Sequence, residues 1–197
     1  MNVKSMTTNI AASVNAFAAI VLLFAAPINF NIMLNKKIES ALNEQIALEH
    51  ESSQYYLSMA SWAEVKGYHG ITKFLYLQSD EERAHMLKLF HYINERGGHA
   101  LVPDAKIPPK SFQTIQEIFE QVLKHEIKVS GEINELVDMC QKEKDYTTNN
   151  FLQWYVAEQI DEERTARNIL DKLALIGSDK GGLYLFDNEL GAMPGKK

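Results

Sequence analysis

The feature that most constrains the fold is a fifteen-residue segment, residues 97–111, which lies between two halves of strongly helical sequence. It begins with two glycines and contains Pro103, Pro108 and Pro109, which remove backbone donors and disfavour a helix. Fully extended, it reaches about 50 Å, whereas a helix of about 28 residues is about 42 Å long. The segment can therefore run the length of a helical bundle, so that the helix after it starts at the same end as the helix before it.

The apolar residues on both sides of this segment recur at helical spacing from Leu34 onward. Short connections within each half, near Gly67 and near Asp145, predict two antiparallel helical hairpins. The sequence therefore predicts an all-α fold, a four-helix bundle with one long crossover between the second and third helices and a short fifth C-terminal helix. The predicted helices cover about 34–64, 69–96, 112–142, 146–177 and, for the fifth, Gly182–Leu190.

The N-terminal residues 1–32 differ from the rest, because the run from Ala16 to Ala26 is apolar without interruption. Three interpretations compete: a cleaved targeting peptide, a retained anchor, or sequence upstream of a true start at Met33. The run is short for a transmembrane helix, and no good small-x-small cleavage site follows it. The third interpretation is favoured, because Met33 stands immediately before the helical pattern. The expected organisation is an N-terminal extension, a bundle domain and a C-terminal tail, over residues 1–32, 33–190 and 191–197.

Charge and cysteine content limit the partners of the chain. The net charge is −6 and there is no cluster of lysine and arginine, which argues against nucleic-acid binding. The single cysteine, Cys140, excludes an intrachain disulfide and a Cys-x-x-Cys site. A metal would therefore be held by carboxylates and histidine, which favours iron, manganese or zinc.

Each of the four long predicted helices carries glutamate near the middle of its apolar face: Glu49, Glu82, Glu126, and Glu158 with Glu162. Ionised carboxylates are rarely buried unless they are paired or bound to metal, because desolvation costs several kcal/mol per ion. A single such residue would mean little. Four helices with glutamate at comparable depth favour a cluster whose mutual repulsion is removed by multivalent cations, rather than a bundle with incidental core glutamates.

The most informative spacing in this set is Glu82-x-x-His85, because residues i and i+3 share a helix face and can address one ion. The alternative is a partly buried hydrogen bond between the two side chains. Tyr56, on the inner face of the first helix, is a candidate for hydrogen-bonding a metal ligand or for redox chemistry, or else an ordinary core tyrosine. The other histidines are expected at the surface or rim, and Trp154 and Cys140 are interpreted as packing residues.

Four segments together resemble bacterial non-haem ferritin: LNEQIALE at 42–49, DEERAH at 80–85, FLQWYVAEQ at 151–159 and GLYLFDNEL at 182–190. The resemblance covers residues 33–190 and implies a ferritin-like bundle. The stretch Gln159–Glu162 has no second Glu-x-x-His, unlike bacterioferritins and rubrerythrin-like proteins. The C-terminal segment and the complete intrasubunit set also differ from Dps-type mini-ferritins.

The resemblance implies three iron sites. The first matches Glu49, Glu82 and His85. Glu82 would bridge to a second iron held by Glu126 and Glu162, with Gln159 close by. A third site, which also draws on Glu126 and Glu162, matches Glu81, Glu158 and Asp161. Asp161 stands where a glutamate is usual, so that iron would be bound more weakly or in a different position.

The function that the resemblance implies is oxidation of Fe(II) by O2 or H2O2 at a di-iron site, with storage of the product as a ferric mineral in a homo-oligomeric shell of about twenty-four subunits. No haem, no nucleic acid and no membrane contact of the bundle domain are expected. The expected location is cytoplasmic, although residues 1–32 leave an exported or organelle-targeted form open. The alternatives are a non-catalytic shell subunit that nucleates mineral, and a di-iron oxidase or peroxidase without a storage role.

Overall fold

A computed structural model of the protein describes residues 34–104 and 106–195. Those residues form five helices and no strand, which confirms the all-α prediction. The predicted N-terminal extension, residues 1–32, lies outside the described residues. The helices are α1 (Lys36–Val65), α2 (His69–Glu95), α3 (Ile115–Lys142), α4 (Tyr146–Ile176) and α5 (Lys180–Gly191).

The long crossover between α2 and α3 runs beside α1. Its contacts follow one another along that helix: Leu101 N donates to Asn43 Oδ1 at 2.7 Å, Lys106 Nζ pairs with Glu51 Oε2 at 2.7 Å, and the Ser58 hydroxyl donates to the Pro109 carbonyl. From Asn43 to Ser58, α1 rises about 22 Å. The crossover therefore follows the bundle axis, as the length of the segment predicts.

Local capping explains where α3 begins, three residues later than the sequence predicts. Thr114 has extended backbone, and its hydroxyl accepts from Glu117 N at 3.0 Å. The Glu117 carboxylate reaches back to accept from Gln113 N at 2.6 Å, a variant of the capping box. These contacts satisfy backbone donors at the start of α3 and leave residues 112–114 outside the helix.

The fifth helix closes one end of α2. The residue before α2, Tyr68, supplies no side-chain cap, but Asp187 of α5 accepts from Ile71 N at 2.8 Å. Gly70 makes this approach possible, because a Cβ atom there would lie 1.6 Å from the Asp187 carbonyl oxygen and 2.9 Å from Gly191 N. The aspartate of α5 therefore caps α2 across the interface between the two helices.

The bundle interior contains two hydrophobic clusters. One includes residues from both helical hairpins and from α5, among them Tyr56, Leu75, Phe119, Ile169 and Phe186. The other lies farther from α5 and includes Leu42, Leu89, Ile133, Leu152 and Tyr155. On each of the four long helices, the residues between the two clusters are the buried polar ones. A polar layer therefore divides the core.

None of the helices within residues 34–104 and 106–195 has the length and apolar character that a membrane span requires.

The close contact between Gly70 and Asp187 predicts that Gly70→Ala will loosen α5. The added methyl group meets backbone rather than a movable side chain, so we expect the free energy of unfolding to fall by about 1–3 kcal/mol. The matched control is Gly131→Ala, at an exposed position of α3 where the added methyl group would meet open space, which should raise stability by about 1 kcal/mol. Urea denaturation of both variants measures the difference, and equal effects would contradict the docking described for α5.

Candidate metal centre

The polar layer brings together side chains from all four long helices. Its titratable members are Glu49 of α1, Glu82 and His85 of α2, Glu126 of α3 and Glu162 of α4, each no more than 4% exposed. The same helical spacing that buries the apolar residues on either side of them turns these side chains inward. The burial of these four glutamates agrees with the prediction that glutamates from four helices meet in the core.

The first group of ligand atoms comes from α1 and α2. Glu49, Glu82 and His85 each offer one ligand atom, and these atoms lie within 4.8 Å of one another. Glu82 Oε2 lies 3.4 Å from His85 Nδ1, because the two residues are one turn apart on the same face of α2. Two carboxylates and one imidazole at this spacing are a suitable ligand set for a borderline divalent cation.

One oxygen of Glu49 has no hydrogen-bond partner among the described residues. Gln45, one turn earlier on α1, donates from Nε2 to Glu49 Oε1 at 2.8 Å, whereas Glu49 Oε2 is buried and receives no hydrogen bond from residues 34–104 or 106–195. A buried carboxylate oxygen without a donor is costly, and a cation bound among the three ligand atoms would satisfy it. This orphaned oxygen shows that the residues present fit a metal ion.

Hydrogen bonds from two other helices fix the carboxylate of Glu126. Tyr56 OH of α1 donates to Glu126 Oε1 at 2.8 Å, and Gln159 Nε2 of α4 donates to Glu126 Oε2 at 3.1 Å. Gln159 also donates to the Glu126 backbone carbonyl at 3.2 Å. Glu162, one turn after Gln159, lies in the same layer and interacts electrostatically with Glu126. Tyr56 therefore hydrogen-bonds a candidate metal ligand, which is one of the three interpretations considered for it.

Burial and mutual repulsion raise the pKa values of these carboxyl groups. Desolvation, followed by the charge of Glu82, holds the pKa of Glu49 well above its ordinary value. Burial and the neighbouring Glu126 do the same for the pKa of Glu82. Burial and the charge of Glu162 raise the pKa of Glu126 to about 7. Without cations the layer consequently holds protons near neutral pH, and a bound cation would release them.

A second group of ligand atoms lies between α2 and α4. Glu81, His85 and Glu158 offer ligand atoms within 4.8 Å of one another, and both glutamates are half-buried. His85 is shared by the two groups. On α4 the buried face passes through Gln159 and Glu162, so the prediction that Glu158 lies on the core stripe is wrong. Its side chain lies at the edge of the layer, because it is one residue away from the buried position.

Asp161 is not in either group within the described part of the chain. Its carboxylate pairs with Arg164 at 2.7 Å and is 45% exposed. The structure thus brings Glu81 and Glu158 together with His85, whereas Asp161 faces a neighbouring arginine. The three-residue third site of Glu81, Glu158 and Asp161 stays a prediction.

Sequence reasoning missed three contacts of the layer. The hydrogen bond from Gln45 to Glu49 was not predicted, although the spacing of four residues between them is the signal for one. Trp154, interpreted as packing, is 37% exposed and stands edge-on to the His85 ring at 5.2 Å. His125 lies at the rim, where Nε2 is 2.5 Å from the Ser52 hydroxyl, and burial lowers its pKa to about 4.

A four-helix bundle with a long crossover, a short fifth helix and core carboxylates beside a histidine defines the ferritin-like class of folds. The family described as ferritin-like domain matches residues 39–176. A probable bacterial non-haem ferritin-like protein of Haemophilus influenzae is 42% identical over 164 residues, which are 83% of this chain and 99% of that protein. A bacterial non-haem ferritin of Campylobacter jejuni is 42% identical over 155 residues, which are 79% of this chain and 93% of that protein.

Solved structures agree with this comparison. A novel open pore ferritin from the hyperthermophilic archaeon Archaeoglobus fulgidus matches with a TM-score of 0.80 and 42% sequence identity, over 82% of this chain and 99% of that chain. This chain belongs to the ferritin family, and its sequence is similar to those of bacterial non-haem ferritins.

The raised pKa values predict how the stability of the metal-free protein depends on pH. The folded state binds protons at the layer more tightly than the unfolded state, so the stability present below pH 4.5 is lost as the pH rises through the folded-state values. For Glu126 alone, a rise of the pKa from 4.5 to about 7 corresponds to about 3 kcal/mol. Urea unfolding at a series of pH values between about 5 and about 8 should therefore show falling stability.

The matched variants for this measurement are Glu126→Gln, which removes a buried titrating group at nearly constant volume, and Glu120→Gln, an exposed neighbour on the same helix. The pH dependence should weaken in the first and persist in the second. A stability that rises with pH over this range would contradict the assignment.

Proposed function

We propose that the chain is an iron-storage ferritin subunit that oxidises Fe(II) to Fe(III) at an intrasubunit di-iron site in the polar layer. The observation that carries the proposal is the partnerless oxygen of Glu49, buried beside Glu82 and His85. No donor among the described residues satisfies that oxygen, and a bound cation would. Fe(II) is the substrate for which this set of oxygen and nitrogen ligands is suitable.

The proposed ligands divide between two irons. Glu49, Glu82 and His85 hold the first, and Glu82 is shared with the second, which Glu126 and Glu162 also hold. The interaction of Glu82 with both Glu126 and Glu162, which raises its pKa, supports this shared role. Gln159 and Tyr56 keep the Glu126 carboxylate oriented, so these two residues position a ligand.

The reaction is a two-electron reduction of the oxidant by two Fe(II) ions. With dioxygen, two Fe(II) and two protons give two Fe(III) and one H2O2; with H2O2, two Fe(II) and two protons give two Fe(III) and two water molecules. Anionic oxygen ligands stabilise Fe(III) more than Fe(II), so they make electron loss easier. Two ions held by a shared carboxylate can both deliver electrons to one oxidant.

The second group, Glu81, His85 and Glu158, is the proposed place to which an iron moves from the centre. Its two carboxylates are half-buried, so they are in contact with solvent between α2 and α4. Ferric product leaving along this side would join a mineral inside a shell of about twenty-four subunits. The similarity to the open pore ferritin of Archaeoglobus fulgidus, over nearly the whole of that chain, supports the shell.

The proposal predicts that Glu82→Ala/His85→Ala will abolish rapid Fe(II) oxidation. Aerobic oxidation, followed by the absorbance of the ferric product, should show a fast phase in the parent that saturates near roughly two irons per subunit. The double variant should show only slow oxidation, because both irons lose a ligand at Glu82.

The matched control is His91→Ala/Glu95→Ala, which removes the same two residue types from exposed positions on the same helix. It should retain the fast phase of the parent. Equal slow rates in the parent and the Glu82/His85 variant would contradict the catalytic assignment and favour a shell subunit without its own oxidation site.

Storage also predicts a large assembly. Sedimentation of the metal-free protein should give one species of several hundred kilodaltons, built from chains of 22.4 kDa. A discrete dimer that still oxidises Fe(II) rapidly would contradict storage and support a di-iron oxidase or peroxidase instead.

A further inference from the structure

A surface groove lies between α1 and α3, on the side of the bundle away from the Glu81 and Glu158 pair. The groove runs beside the crossover and is lined by four carboxylates and two amines: Glu44, Glu51, Glu132, Glu135, Lys106 and Lys128. Lys106 forms an ion pair with Glu51 at 2.7 Å, so the charge of one of the two lysines in the groove is already neutralised. Three carboxylates and one lysine are left, and the groove is electronegative.

The exposed carboxylates of the groove are not used for structure. Glu44, Glu132 and Glu135 are all exposed, and no hydrogen bond or ion pair joins any of them to another side chain in the described part of the protein. Surface acidity of this kind is often only a solvated face. What distinguishes this groove is that one of its polar lining residues, Gln45, is buried.

Gln45 is 2% exposed yet lines the groove. Its amide nitrogen donates to Glu49 Oε1 at 2.8 Å, whereas its carbonyl oxygen accepts no hydrogen bond from the described residues. One buried side chain therefore contacts the candidate metal centre with its donor and also lines the groove, and its oxygen, the atom type that hard cations bind, has no partner among the described residues.

We propose that this groove is an uptake site for Fe(II), in which the carboxylates of Glu132 and Glu135 and the carbonyl oxygen of Gln45 receive the hydrated cation before Glu49 takes it over. The inference rests on the proposed function. Negative potential in a cleft raises the local concentration of cations, and water displaced from the ion is replaced by protein oxygens. Gln45 and Glu49 are one helical turn apart, so the transfer crosses about 6 Å.

In this transfer of Fe(II), the hydrogen bond between Gln45 and Glu49 controls how many Glu49 oxygens can bind the ion. While the bond holds, Glu49 presents one oxygen to the centre. When the Gln45 amide turns toward a cation in the groove, the second oxygen is released to bind the same ion. The site thus takes a divalent cation from the α1–α3 side, opposite to the Glu81 and Glu158 pair.

The experiment measures the fast phase of Fe(II) oxidation as a function of Fe(II) concentration in the full chain. The variants are Glu132→Gln/Glu135→Gln and Glu132→Lys/Glu135→Lys, at exposed positions of α3. The concentration that gives half the limiting rate should rise about three- to tenfold in the first and further in the second, because steering falls with the charge of the groove. The number of irons oxidised in the fast phase should stay that of the parent.

The matched control, Glu120→Gln/Asp171→Asn, removes the same charge from exposed positions outside the groove and should keep the half-saturating concentration of the parent. An unchanged half-saturating concentration in both groove variants, with the fast phase intact, overturns the uptake site alone. A fall in the number of irons oxidised also overturns it, because the groove would then be part of the centre. A parent without a fast phase overturns the proposed function and the uptake site together.

Discussion

The structure depends on one constraint, the burial of several carboxylates at a single depth in the bundle. A lone buried carboxylate would be neutralised or turned outward, because the free energy of desolvation is large. Here Tyr56, Gln159 and Gln45 supply donors to Glu126 and Glu49, and the two hydrophobic clusters on either side keep water out. Burial of the two apolar clusters stabilises the fold and offsets the free-energy cost of burying the carboxyl groups.

The same constraint connects stability to ligand binding. A cation bound in the layer would compete with protons, since either removes the repulsion among Glu82, Glu126 and Glu162. Near neutral pH the proton is only weakly held by Glu126, whose pKa is about 7, and a divalent cation can displace it. The hydrogen bonds of Tyr56 and Gln159 already hold the Glu126 carboxylate in place, so a bound cation would require little rearrangement.

Much of this architecture could be predicted from the sequence, because it follows from periodicity. The inward positions of Glu49, Glu82, His85, Glu126 and Glu162 repeat with the apolar residues of their own helices, and the prolines of residues 97–111 set the crossover. Contacts between distant segments could not be predicted in this way. The cap that Asp187 gives to Ile71 joins positions 116 residues apart, and no local pattern marks it. The prediction that Glu158 lies on the core stripe failed for a different reason. A shift of one residue turns a helical side chain by about 100°, and the buried residue is the next one, Gln159.

The cap on α2 has a consequence for the order in which the chain can fold during synthesis. The first turn of α2 carries the backbone donor that Asp187 satisfies, and α2 also carries Glu82 and His85. A ribosome releases the chain from the N-terminus, so α2 emerges more than a hundred residues before its cap. Until α5 has left the exit tunnel, the backbone amide of Ile71 lacks this side-chain acceptor. The helix that carries Glu82 and His85 therefore receives the cap on its first turn only after α5 has been made.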